Sequence, residues 1–327
     1  MFDIHEPEIR FALEAVRRAA LLVRRIQTEL VVSAQEKADR SPVTVADYAS
    51  QALVACLLAE AFPGDALVAE EDASALQGTP LLEQVTAYVR YELPAATPAS
   101  VCSWIDRGGS APTARFWTLD PIDGTKGFLR GDQYAVALAL VENGQVQVGV
   151  LGCPNLRDGY RPNHGGEGSI AIAVRDQGSW VASLVSPRAF DRLHASRRLD
   201  PATARLLRSF ESGHTNPGQI DGLAGALGIS TSAVAMDSQA KYCVLASGKA
   251  DLMLRMLSPS RPDYQEKIWD QAAGLLVIEE AGGMVTDLNG KPLDFSTGRT
   301  LVNNRGVLAS NGYLHPAVLQ ALRQIGA

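Results

Sequence analysis

Cysteine is scarce in this chain of 327 residues: there are 4, at positions 56, 102, 153 and 243, and no two have C-x-x-C spacing. Neither a disulfide framework nor a zinc site is suggested, and Cys56, Cys102, Cys153 and Cys243 read as reduced, buried thiols. Long hydrophobic runs are missing too. None approaches the ~18 residues that a bilayer span needs, and charged residues such as Glu14 and Arg25 break up the opening segment, so no secretory-signal core is expected there. Nor is there a basic excess. Lys and Arg total 30 against 36 Asp and Glu, a net charge of −6, which argues against a nucleic-acid polymer or an anionic membrane as the main partner. Internal repeats and low-complexity tracts are absent as well. The expectation is a cytoplasmic protein whose partner is a small molecule. An anionic substrate would need metal ions and a local basic cluster to hold it.

What is present describes an ordinary globular protein, with 46% hydrophobic and 20% charged residues. The length exceeds the usual single core, so two domains are expected, 1–195 and 196–327. Ile9, Leu13, Val16, Ala20, Val23 and Ile26 recur at helical spacing over 8–30, behind Pro7 at a helix start. A second helix is predicted over 48–61, with Asp47 at its beginning, where a plain N-terminal cap explains a single Asp equally well. A short strand, 67–69, runs into Glu70-Glu71-Asp72. The segment 73–115 carries Pro80, Pro94, Pro98 and Pro112 and reads as an insertion with helices near 81–91 and 99–106, either a lid or an inert excursion. Strands at 134–141 and 146–151 flank the hairpin turn Glu142-Asn143-Gly144-Gln145, and 169–174 and 179–185 continue the meander. Helices are predicted at 202–210, 219–228, 238–247 and 269–281, the last stopping at Gly282-Gly283.

The chain is organised around Phe116-Trp117-Thr118-Leu119-Asp120-Pro121-Ile122-Asp123-Gly124-Thr125. A buried strand runs into two carboxylates three apart, then Gly and Thr open a helix. Pro121 biases Asp120 toward an extended backbone, so Asp120 is expected to close the strand and Asp123 to lie in the turn beyond. Two anions that close repel unless a cation sits between them, and a hard ion such as Mg²⁺ prefers oxygen ligands. Free N–H groups at Gly124 and Thr125 favour a phosphate. An Asp-Gly turn with a Thr cap is the plainer alternative.

Val68-Ala69-Glu70-Glu71, Leu119-Asp120-Pro121-Ile122-Asp123-Gly124-Thr125, and Ile268-Trp269-Asp270-Gln271-Ala272-Ala273-Gly274 with Glu280-Ala281-Gly282-Gly283 resemble the three signatures of the inositol monophosphatase superfamily. The resemblance runs from Ser41 to Ser310. Within it the chain is most similar to the 3′(2′),5′-bisphosphate nucleotidase family. Ser41-Pro42-Val43-Thr44-Val45-Ala46-Asp47-Tyr48, Lys126-Gly127-Phe128-Leu129-Arg130-Gly131-Asp132-Gln133-Tyr134-Ala135 and Tyr264-Gln265-Glu266-Lys267-Ile268-Trp269-Asp270 carry that narrower match.

The resemblance implies a layered αβαβα sandwich, an antiparallel-sheet α+β domain followed by a smaller mixed-sheet α/β domain. It also implies a lithium-sensitive, Mg²⁺-dependent phosphatase in sulfur metabolism, using two or three ions and existing as a monomer or homodimer. Glu70, Asp120 and the Ile122 carbonyl would hold one ion, and Asp120, Asp123 and Asp270 a second. Asp47 and Thr125 would orient the attacking water, and Gly124 and Thr125 would bind the phosphate. His214, Ser238, Lys241 and Arg255 would contact the nucleotide, although alone His214 reads as a loop histidine and Lys241 and Arg255 as solvated charges. The implied substrate is adenosine 3′,5′-bisphosphate, with an inositol or sugar phosphate as one alternative and a silent bisphosphate sensor as another. Asp120 and Asp123 are separated by two residues, which does not match the one-residue spacing of phosphatases that form a phospho-aspartate.

Overall fold

In the computed structural model, residues 2–31, 42–157, 161–210, 216–258, 261 and 263–326 are described. The amphipathic opening gives α1 (Pro7–Ile26), whose buried stripe includes Ile9, Leu13, Val16, Ala20, Val23 and Ile26. There follow α2 (Pro42–Ala61), β1 (Ala66–Ala69), α3 (Pro80–Val89), α4 (Pro98–Asp106), β2 (Arg115–Asp123), α5 (Thr125–Arg130), β3 (Ala135–Glu142), β4 (Gln145–Cys153), β5 (Ser169–Val174), β6 (Gly178–Ser183) and β7 (Asp191–Arg192). The second half holds β8 (Leu206–Arg208), α6 (Pro217–Ala226), β9 (Val234–Ala235), α7 (Ala240–Ala246), β10 (Leu252–Arg255), α8 (Ala272–Glu279), β11 (Met284–Thr286), β12 (Val307–Ser310) and α9 (His315–Ile325).

Strands β1 to β7 form one sheet in sequence order, and a second sheet runs β11-β12-β10-β8-β9. The first is an antiparallel meander except that β1 pairs parallel to β2. Helices α1 and α2 cover its outer face, α7 and α8 lie between the sheets, and α6 and α9 close the far side of the second sheet. This is the layered αβαβα sandwich expected above. The central strands are buried on both faces, and their alternation decides what lies on each. Val136, Leu138 and Leu140 of β3 meet the outer helices, while Ala135, Ala137 and Ala139 face the inner layer. The small side chains leave room for α8 to come close.

Two glycines of β4 set how close. A Cβ on Gly149 would lie 2.8 Å from the Ala273 carbonyl oxygen of α8, and one on Gly152, on the opposite face, would lie 2.8 Å from a methyl of Val16 in α1. At the β3–β4 turn, Asn143 (φ 50°) and Gly144 (φ 76°) both have positive φ, as a two-residue hairpin requires.

Several expectations are corrected. The segment 202–210 is not a helix: a 3-10 turn at Pro201–Thr203 leads into β8, because Leu206 and Leu207 pair with Leu252 and Met253 and fill the second sheet. The helix predicted at 48–61 starts earlier, at Pro42. The helix placed at 269–281 covers only Ala272–Glu279, since Gln271 is non-helical (φ −127°, ψ −34°) and a turn holds the preceding residues. Helices α3 and α4 of the 73–115 segment pack into the outer core. All four cysteines are free thiols, and Cys102 is only half-buried. Cys153 and Cys243 bring their Sγ atoms to 3.9 Å, a proximity their spacing did not announce. Among the described residues no helix is long and apolar enough to cross a membrane.

Gly149→Ala should push α8 off the sheet and destabilise the fold by about 1–3 kcal/mol, seen as a lower Tm. Gly152→Ala meets side chains rather than backbone and should cost less; equal Tm values for both variants would contradict this account of the close approach.

Candidate active site

Parallel pairing of β1 with β2 aligns Ala69 with Leu119. Glu70 and Asp120 therefore leave neighbouring strand ends side by side. β2 then does something its sequence did not announce: it continues through Pro121 to Asp123, with a bulge. Asp120 opposes Ala137 and Asp123 opposes Ala135, so one extra residue is absorbed between them. Residues three apart on a regular strand face opposite ways, and the extra residue brings both carboxylates to the same side. Pro121 has no N–H to offer the ladder and suits the irregular position. Its carbonyl accepts from Ser50 Oγ (3.0 Å), and Ile122 N–H donates to Asp120 Oδ1 (3.1 Å).

Asp47 is not a cap. It lies past the first turn of α2 and is 4% exposed. Burial first, then the charges of Glu71 and Glu70, raise its pKa well above the usual carboxylate range. One turn on, Gln51 fixes the acidic loop. Its Nε2 donates to the carbonyls of Glu71 (2.7 Å) and Ile105 (2.8 Å), and its Oε1 accepts from Glu71 N–H (3.0 Å).

The second half closes the site through Ser238 and Gln239. Gly124 (φ 87°) and Ser238 (φ 64°) meet in left-handed conformations, so tightly that a Cβ on Gly124 would lie 2.8 Å from Ser238 Cβ. Gln239 N–H donates to Asp123 Oδ2 (2.6 Å). Its side-chain amide donates to the Trp269 carbonyl (3.0 Å) and accepts from Gly274 N–H (3.1 Å). One residue thereby ties Asp123 to the turn that carries Asp270. Arg299 adds a second tie, donating to the carbonyls of Gly108 and Ala69 and lying over the Trp269 ring.

Between the halves lies a cavity of about 420 Å³ lined by Glu70, Asp120, Ile122, Asp123 and Asp270, by Gly124 and Thr125, and by Ser238, Lys241 and Arg255. Ten predicted site residues thus meet at one opening. Asp47 does not line it but acts electrostatically on Asp120 from behind. His214 lies outside the described residues. No residue of 73–115 lines the cavity, and its helices α3 and α4 pack into the outer core.

The acids raise one another's pKa. Burial comes first, followed by Glu70, Asp123 and Asp270, in lifting Asp120 well above its ordinary range. Burial followed by Glu71 and Asp123 brings Glu70 to about 7. Burial likewise lifts Asp270 to about 8, against the pull of Arg255. A divalent cation would relieve this repulsion, and an all-oxygen donor set suits a hard ion. Among the described residues no three His, Cys, Asp or Glu side chains stand close enough together to hold an ion.

Lys241 and Arg255 are not solvated charges. Lys241 is 7% exposed, its Nζ donates to the Met236 carbonyl (3.1 Å), and burial lowers its pKa to about 8. Arg255 has its Nε 3.1 Å from Glu266 Oε2 and an Nη 3.7 Å from Asp270 Oδ2. Burial opposes its charge, but Glu266 and Asp270 outweigh that and hold it firmly protonated. Gln51, Gln239 and Arg299 escaped the sequence reading because an amide or guanidinium that clamps distant carbonyls leaves no local pattern. Lys267, which also lines the cavity, had a weak signal beside Trp269-Asp270.

Over residues 5–327 the chain matches the model of the inositol monophosphatase family, and it belongs to that family. Among its relatives is a protein of Emericella nidulans named 3′(2′),5′-bisphosphate nucleotidase, 40% identical over 98% of this chain and 99% of the relative. A protein of the same name from Schizosaccharomyces pombe is 40% identical over 97% and 95%. The solved IMPase of Thermotoga maritima shares the fold at a TM-score of 0.65 and 18% identity, covering 98% of each chain.

Glu70 and Asp270 hold protons more tightly folded (about 7 and about 8) than their ordinary values of 4.5 and 3.8. Their contribution to stability is therefore complete below about pH 4 and is lost as pH rises through about 7 to 8. In EDTA the Tm should fall over that window, and Asp270→Asn should flatten the fall. A metal-free Tm that climbs with pH across the window would contradict the mutual repulsion.

Proposed function

We propose that this chain is a Mg²⁺-dependent phosphatase that hydrolyses the 3′-phosphate of adenosine 3′,5′-bisphosphate, leaving AMP and inorganic phosphate. The observation that carries the proposal is a single cavity holding both the acids Glu70, Asp120, Asp123 and Asp270 and the buried cations Lys241 and Arg255. One set suits a cation-bound phosphoryl group and the other a second phosphate. The names borne by relatives at 40% identity support the same substrate class.

Glu70, Asp120, the Ile122 carbonyl, Asp123 and Asp270 would hold Mg²⁺, which would make a water nucleophilic and neutralise the leaving oxygen. Asp47, whose charge acts on Asp120 from outside the cavity lining, would help to orient that water through Asp120. The Thr125 hydroxyl orients the water. The N–H groups of Gly124 and Thr125 donate to the phosphoryl oxygens. Ser238, Lys241, Arg255 and His214 hold the 5′-phosphate and the nucleoside. An anion beside Lys241 offsets the burial that lowers its pKa. The two halves, 1–195 and 196–327, act as domains with the reaction between them.

Phosphate release from adenosine 3′,5′-bisphosphate and from inositol 1-phosphate, with and without Mg²⁺, tests this directly. The bisphosphate should have the higher kcat/KM, and a preference for inositol 1-phosphate would move the chain to the inositol phosphatases. Asp120→Asn should lower kcat by about a hundredfold or more with the fold retained. Wild-type turnover in that variant would remove Asp120 from the chemistry.

A further inference from the structure

Arg255 lies among groups that restrain it more than they satisfy it. Its Nε is 3.1 Å from Glu266 Oε2, yet that buried N–H makes no hydrogen bond, because it is not aimed at the oxygen. The pair is ionic rather than directional. Glu266 itself is firmly held. Gln271 Nε2 donates to the same oxygen, Glu266 Oε2 (2.8 Å), and Tyr242 O–H donates to Gln271 Oε1. Because the Gln271 carbonyl oxygen is committed to Tyr242, its nitrogen must face Glu266, so the row has one orientation. Glu266, Gln271 and Tyr242 are 5%, 0% and 2% exposed. The Tyr242 ring is wedged against Gly274 at the start of α8, where a Cβ would lie 2.5 Å from it.

A second acid competes for the same cation: Asp270 Oδ2 is 3.7 Å from Arg255. With Glu266 neutral, Coulomb attraction would draw the guanidinium toward Asp270. A guanidinium recognises phosphate well only when its planar fork is held in place, and a long side chain left to wander pays for its ordering on binding.

We propose that Glu266, braced by Gln271 and Tyr242, is a positioning residue that holds Arg255 in register for the substrate phosphate that is not cleaved. This rests on the reading of Arg255 given under the proposed function. Glu266 touches no reacting atom. Its effect belongs in the affinity for the second phosphate and not in the rate of bond cleavage.

The test compares adenosine 3′,5′-bisphosphate with adenosine 3′-phosphate, which lacks the second anion, in Glu266→Gln, Tyr242→Phe and Arg255→Ala. Glu266→Gln should raise KM for the bisphosphate about tenfold and leave kcat within about twofold, with KM for the monophosphate unmoved. Tyr242→Phe removes one hydroxyl and should shift the same KM about threefold in the same direction. It carries the test alone if Glu266→Gln does not fold. Calorimetry of AMP binding in EDTA should show the same losses without turnover. A fall in kcat on both substrates alike, or an unchanged bisphosphate KM, would overturn the positioning role. If Arg255→Ala fails to separate the two substrates, the underlying reading of Arg255 fails, and Glu266 has nothing to position.

Discussion

Four carboxylates drawn into one partly dry cleft repel one another, and the sandwich is arranged to hold them there nonetheless. Glu70, Asp120, Asp123 and Asp270 come from three separate stretches, and after burial the charges of Glu70, Asp123 and Asp270 make Asp120 harder to ionise. Such an arrangement is costly in isolation. It persists because the strands and helices that carry the acids are fixed by burial elsewhere, over two hydrophobic layers that flank the first sheet. The strain is local and the support is distributed.

Most of that support is backbone accounting. The carbonyls of Pro121, Glu71, Ile105, Trp269 and Ala69 are each met by a side chain from another element: Ser50, Gln51, Gln239 or Arg299. Of these side chains only Gln239 lines the cavity. They decide how far apart the acids stand, and the small residues on the inner face of β3 and on β4 decide how near α8 can bring Asp270. Cleft geometry is thus set one shell out from the groups that use it.

Much of this was legible in the sequence, and the reasons are local. Within Leu119 to Thr125 the strand and the helix opening at Gly124-Thr125 were legible because glycine and the apolar run are strong short-range signals, but the strand ends at Asp123 and not at Asp120. The hairpin at Asn143-Gly144 read correctly for the same reason. The placement of Asp123 did not, since a bulge depends on how the partner strand is paired. Asp47 looked like a cap because the helix start was put several residues late, and its burial depends on what packs around α2. Residues 202–210 carry enough helix formers to mislead, and tertiary pairing of Leu206 and Leu207 overrode them. The three signatures contain Glu70, Asp120, Ile122, Asp123, Gly124, Thr125 and Asp270, which line the cleft, but single clamping residues such as Gln239 have no motif to betray them.

The cleft straddles the two halves of the chain, and this has a consequence for synthesis. When a ribosome has made only the first sheet, Glu70, Asp120 and Asp123 still face water, where their repulsion is weak. Ser238, Gln239 and Asp270 emerge later, and their docking completes the cavity and adds the hydrogen bond from Gln239 N–H to Asp123. A chain ending before α8 would lack both the helix that covers the inner face of the first sheet and the cleft that Asp270 completes. The cleft and the activity arrive together, in the last step of assembly.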